Sequence, residues 1–178
     1  MIQTIDKFCA KVTNACGVLA CLAMILMLFN VFYDVVMRYA FNDVSIGMQE
    51  LEWHLFATVF MLGTPYAMQR DGHVRVDIFY DTWSEHRKAL INLVGAVVFV
   101  LPFVVLVTYY GTDFSYNAFQ MGEGSGDPGG LPHRWIVKSL IPISFALMGI
   151  AGIGMMTKAI SVMRGQASYS DSEKGMLS

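Results

Sequence analysis

Ala15-Cys16-Gly17-Val18-Leu19-Ala20-Cys21-Leu22-Ala23-Met24-Ile25-Leu26-Met27-Leu28-Phe29 contains no charged residue, and Asn30-Val31-Phe32-Tyr33 extend the run before Asp34 interrupts it. A helix of about 20 apolar residues crosses the hydrocarbon core of a bilayer. The run is too long and too apolar for a water-soluble fold. Working outward from it, stretches 46–68, 89–110 and 135–156 have the same character, so the first span at 15–36 is followed by three more. With 178 residues, 55% of them hydrophobic, and a mean hydropathy of +0.50, little chain remains for a separate soluble domain. The expected fold is an all-α membrane protein: one domain over 1–164 with four transmembrane helices, then a polar, disordered tail over 165–178.

The net charge of −2 conceals an asymmetry. Orientation follows Lys and Arg in short loops. Lys7, Lys11, Arg70, Arg75, Arg87, Lys88, Lys158, Arg164 and Lys174 fall on one side of the spans, and only Arg38, Arg134 and Lys138 on the other. Both termini and the middle hairpin are therefore expected in the cytoplasm. Loops 39–45 and 111–134 then face outward, made acidic by Asp43, Asp113, Glu123 and Asp127. None of the three cysteines, Cys9, Cys16 and Cys21, lies in an outward loop, which excludes a disulfide there and predicts buried, inert thiols. Val18-Leu19-Ala20-Cys21 looks like a lipoprotein cleavage site. The apolar region nevertheless runs on past Leu28, which favours a retained helix.

Before the first span, Ile2, Ile5, Phe8, Cys9 and Val12 recur at helical spacing between Gln3, Asp6, Lys7 and Lys11. This predicts a short N-terminal helix in the membrane interface; the other reading is the first turns of a long, tilted span. Within the first span, Cys16, Ala20, Ala23, Asn30, Asp34 and Arg38 form one small or polar stripe, suited to close helix approach. In the second, Glu50, His54, Ala57, Thr58, Met61, Thr64, Pro65 and Met68 share a face, with Leu51, Leu55, Val59, Leu62 and Tyr66 assigned to lipid. Glu52 sits with that apolar face, close enough to the helix start to reach the interface. In the fourth span Ala146, Gly149 and Gly152 form a small-residue ridge, with Trp135 as an interfacial anchor.

Ionisable residues inside a membrane are candidates for function. Here they are Asp34, Arg38, Glu50, Glu52 and His54, all near the outer end of the first hairpin. Asp34 with Arg38, and Glu50 with His54, could satisfy one another at i,i+4; the alternatives are a partner-binding cluster or a proton relay. The glycine-rich loop from Gly122 to Leu131 lacks the Lys-Ser or Lys-Thr of a phosphate loop. It reads as a flexible outer turn or a partner contact. Haem ligation would need two histidines in the bundle, and only His54 lies in a span. No zinc-ligand spacing appears. Enzymatic activity, cofactors, metals and nucleic-acid binding are not expected.

Arg38-Tyr39-Ala40-Phe41-Asn42, Gln49-Glu50-Leu51, Gly63 and Gly72-His73-Val74-Arg75-Val76-Asp77 occur in order between the spans. Together they resemble the small membrane subunit, or Q subunit, of tripartite ATP-independent periplasmic (TRAP) transporters. Asp127-Pro128-Gly129-Gly130-Leu131-Pro132-His133-Arg134-Trp135 is similar to a form found in one branch of that family. The resemblance spans 18–156, with Gln49 standing where a glutamate is common and Glu52 added. It implies a sodium-driven importer of organic acids in the bacterial inner membrane. A periplasmic solute-binding protein captures the solute, a large membrane subunit moves it, and the small subunit braces the large one among the membrane lipids. Under that implication Asp34, Arg38, Glu50, His54 and Arg75 are candidates for the interface with the large subunit. Glu123, Asp127 and Arg134 are candidates for a periplasmic docking loop. The competing reading is a membrane anchor or assembly subunit of another complex, such as an oxidoreductase; a third is an independent channel or small exporter.

Overall fold

A computed structural model describes residues 2–70 and 83–169. Among these residues every regular element is a helix. Helix α1 covers Ile2–Ala40 and α2 covers Ile46–Gln69; α3, Glu85–Gln120, and α4, Trp135–Met163, follow. The last helix is the hub. It packs against α1, α2 and α3, while α1 and α2 also pack on each other as a hairpin. Helix α3 rests mainly on α4.

The turns at three helix ends follow one pattern. Asn42, Gly122 and Gly165 adopt left-handed φ values of 53°, 59° and 69°. Asp43 N donates to Met37 O, Glu123 N to Ala118 O and Gln166 N to Ser161 O. These closures, seven residues long at Asp43 and six at the other two, satisfy carbonyls that a helix end leaves open, and Gly or Asn adopts the required φ at little cost. Ser45 then caps α2 by accepting from Met48 N at 3.3 Å. Within α3, a π-turn over Ala96–Val100 immediately precedes Pro102. Proline lacks an N–H and its ring crowds the carbonyl four residues back, so the wider turn accommodates it without ending the helix.

Several expectations are corrected. No break separates residues 2–12 from the first span: α1 is continuous for 39 residues, so the N-terminal stretch is its first turns rather than a separate interfacial helix. Among the described residues three helices are both long and apolar enough to cross a membrane, Thr4–Ala40, Glu85–Gln120 and Trp135–Met163, so three of the four expected spans are supported. Helix α2 falls outside that set, with Glu50, Glu52 and His54 in its early turns. Its inner face is also wider than the stripe suggests. Leu62, assigned to lipid, is buried against Cys16, Ala20 and Leu147, and the Tyr66 ring lies so close over Gly17 that a Cβ there would come within 2.7 Å of it. Because α2 is wedged between α1 and α4, both of its flanks pack, and Trp53, Phe56 and Phe60 form the exposed seam.

The α1 stripe is where the sequence places it: Cys16, Ala20, Ala23, Asn30 and Asp34 are all buried. Cys21 is exposed, unlike Cys9 and Cys16. On α4, Gly149 and Gly152 receive Val104 and Val100 of α3 closely, whereas Ala146 is left exposed. The tail also departs from expectation in its first part. After Gly165 the chain folds back and buries Tyr169 among Ala89, Ala159 and Val162. The remaining tail, 170–178, lies outside the described residues.

Candidate functional site

The long connection after α3 is held down by one carboxylate. Glu50 lies in the second turn of α2 and is 6% exposed. Its Oε1 accepts from Ser125 Oγ at 2.5 Å and from Arg134 Nη2 at 3.0 Å; its Oε2 accepts from Leu131 N at 2.6 Å. Three donors from a segment more than 70 residues away thus converge on one side chain. Backbone bonds complete the loop: Arg134 N donates to Glu123 O at 2.9 Å, Ser125 N to Leu131 O at 3.0 Å and Gly130 N to Asp127 O at 3.0 Å. Gly130 is required by proximity, since a Cβ there would collide with Ser125 and lie 2.8 Å from Glu50 Oε2. The expected flexible turn is a tied cap.

Around this anchor the other charges pair locally. Lys138 Nζ lies 2.5 Å from Glu123 Oε2 and 4.1 Å from the Phe114 ring centre. Arg134 also sits over the Trp53 ring at 5.9 Å. Charge-assisted bonds of this kind are stronger than neutral ones, and burial makes the loss of one partner costly. The loop is therefore fixed to α2 on one side and to the start of α4 on the other.

The four residues expected to gather on the first hairpin do not make one network. Asp34 and Arg38 pair with each other at 2.5 Å, with Asp34 buried and Arg38 40% exposed. Asn30 Nδ2, one turn before Asp34, donates to Met48 O at 2.9 Å and ties α1 to the start of α2. Glu50 does not pair with the His54 imidazole; Arg134 occupies it instead. His54 Nδ1 meets the Glu50 backbone carbonyl at 2.6 Å. A carbonyl can only accept, so the proton is on Nδ1. Asp127 is exposed on the loop, and Arg75 lies outside the described residues. Ser125, Gly130 and Leu131 were not singled out by the sequence, although their places in a glycine-rich segment just before Arg134 offered a signal.

A family model for tripartite ATP-independent periplasmic transporters, DctQ component, matches residues 27–161. The chain belongs to this family. The Glu50 anchor and its loop fall within the matched region. A relative from Haemophilus influenzae, named a TRAP transporter small permease protein, is 24% identical over 148 residues, covering 83% of this chain and 90% of the relative. As a DctQ component the chain is a non-catalytic part of a transporter with several components. Its three apolar helices agree with a multi-pass protein of the inner membrane.

Proposed function

We propose that this chain is the small membrane subunit of a sodium-driven TRAP importer, bracing the large transport subunit and helping to dock the periplasmic binding protein. The observation that carries the proposal is the Glu50 anchor. A loop that only joined two helices would not need three bonds to a buried carboxylate from another hairpin. A loop serving as a docking platform would, because a fixed surface binds without the cost of ordering it. Exposed Asp127 gives that platform an acidic point, while Glu123, paired with Lys138, and Arg134, paired with Glu50, fasten it. Asp34, Arg38 and His54 border the hairpin and are proposed, with Arg75, to serve contact with the large subunit.

In this reading α2 is the fourth span. Its 24 residues extend about 36 Å at the rise of an α-helix, sufficient to cross. Its charged first turns then lie at the outer interface, where a charge costs much less than at mid-bilayer. The excess of Lys and Arg at the other end supports cytoplasmic termini. A cysteine placed at exposed Asp127 should react with an impermeant reagent from the periplasm, and one at Ser84 should not; the reverse pattern inverts the topology.

The function is tested with the three components in proteoliposomes. Solute uptake should require a sodium gradient and should collapse when this chain is omitted. Asp127→Lys should weaken binding of the periplasmic protein while the two membrane subunits remain associated. Undiminished uptake without this chain contradicts the proposal.

A further inference from the structure

The junction of α2 with α4 carries a narrow groove of about 240 Å³, lined by Trp53, Ala57 and Met61 from one helix and by Arg134, Lys138 and Ile141 from the other side, among others. Its chemistry changes along its length. Two cations stand at the loop end, where the Arg134 guanidinium lies over the Trp53 ring at 5.9 Å. Below them the walls are apolar down to Met61, whose sulfur accepts from Ser144 Oγ at 3.4 Å. Among the described residues no acid lines the groove: Glu50 and Glu123, which pair with Arg134 and Lys138, lie outside it. Each cation donates one N–H to its carboxylate and has others left. Both side chains keep some exposure, 30% for Arg134 and 19% for Lys138.

We propose that this groove holds one phospholipid, its phosphate on Arg134 and Lys138 and one acyl chain along Ala57, Met61 and Ile141. The inference rests on reading α2 as the fourth span, which puts Trp53 at headgroup level and Met61 among acyl chains. Width selects a lipid chain over a partner's helix. Trp53 to Met61 is about 12 Å of helix, so the groove averages about 20 Å² in cross-section. A helix about 10 Å across occupies about 80 Å², and only an extended chain fits. Polarity selects the headgroup. Two cations at the mouth offer charge-assisted N–H bonds to an anion, the means by which basic pockets between transmembrane helices hold anionic headgroups. A free phosphate would occupy the mouth and leave the apolar length unfilled.

The test exposes the full chain, in mild detergent, to phosphatidylglycerol, to diacylglycerol with the same chains, or to inorganic phosphate, and counts bound molecules by native mass spectrometry. One phosphatidylglycerol should be retained and diacylglycerol about tenfold less, the loss of one charge-assisted contact. Inorganic phosphate should not displace the lipid. Ala57→Phe, which fills the groove below the cations, should abolish retention with helix content unchanged. Lys138→Arg should keep the lipid, and Lys138→Gln should bind it about tenfold more weakly. Equal retention of phosphatidylglycerol and diacylglycerol, displacement by inorganic phosphate, or retention undiminished in both Ala57→Phe and Lys138→Gln overturns the proposal. So does loss of the lipid once the large subunit co-purifies, which would assign the groove to that partner. A nitroxide at exposed Phe60, in nanodiscs, separates this inference from the reading beneath it. If Phe60 is reached by oxygen and not by a water-soluble nickel complex, α2 lies in lipid, and absence of a retained phospholipid overturns this inference alone. If the nickel complex reaches it, α2 is not a span and both fall.

Discussion

At the end of the bundle where α1 turns into α2, a buried carboxylate draws a distant loop onto the hairpin. At the opposite end, where the chain leaves α4, an aromatic residue does comparable work. Tyr169 is buried against Ala89, Ala159 and Val162, its N–H donates to Glu85 at 2.8 Å, and its hydroxyl accepts from Asn92 at 3.2 Å. The first closure is electrostatic and fastens a loop to α2; the second is largely apolar and fastens the tail to the start of α3. The contrast teaches where rigidity and specificity reside. Burial against small residues tolerates small shifts, whereas three converging donors on one carboxylate define a position. A docking surface benefits from the electrostatic fastening, and a helix that must stay beside its neighbour needs only the apolar one.

The largest effect is expected from breaking the charged closure. Glu50→Ala leaves Arg134 without its anion and Leu131 N without its acceptor, and should lower the melting temperature of the detergent-solubilised subunit more than any other single change discussed. Glu50→Gln should fall between, because the amide oxygen still accepts but does not neutralise the guanidinium. A melting temperature for Glu50→Ala equal to that of the unmodified protein would show that the loop is not fastened this way. Gly130→Ala should act in the same direction by collision, and a second substitution at Glu50 should add little to it, as expected for neighbours sharing one structure.

The apolar closure should respond more locally. Tyr169→Ala is expected to cost roughly 3 kcal/mol, the scale of deleting a buried aromatic. Proteolytic cleavage should increase near Trp83 and Ser84 and remain unchanged between 123 and 134. Equal loosening at both ends would erase the distinction drawn here. The smallest effect is expected for Asn30→Ala, which removes the bond to Met48 O. Cross-helix hydrogen bonds in membrane proteins average about 0.6 kcal/mol, so the variant should remain folded with a slight fall in melting temperature.

Much of the helical layout was legible in the sequence because apolar length sets it: the α2, α3 and α4 regions were all found, and the α1 stripe was read correctly through to Asp34. What escaped depends on contacts between distant segments. The burial of Leu62 and Tyr66 follows from α2 lying between two helices, which the periodicity of one helix cannot report. Glu50 was singled out but matched to His54, since a sequence displays neighbours at i,i+4 and not a donor 84 positions later. The fold-back after Gly165 was hidden in a polar tail whose one aromatic residue, Tyr169, provides the docking. Residue composition alone judged that tail by its average.

The central claim is that Glu50 fixes the loop through the Leu131 amide. Hydrogen exchange at that amide, followed in the unmodified protein and in Glu50→Gln and Glu50→Ala, tests it most directly. The account predicts slow exchange at Leu131 in the unmodified protein, faster exchange in Glu50→Gln, and the fastest in Glu50→Ala, with amides in the middle of α1 and α4 unaffected. Exchange at Leu131 as rapid as in an unstructured peptide before any substitution, or unaltered by both, would contradict it.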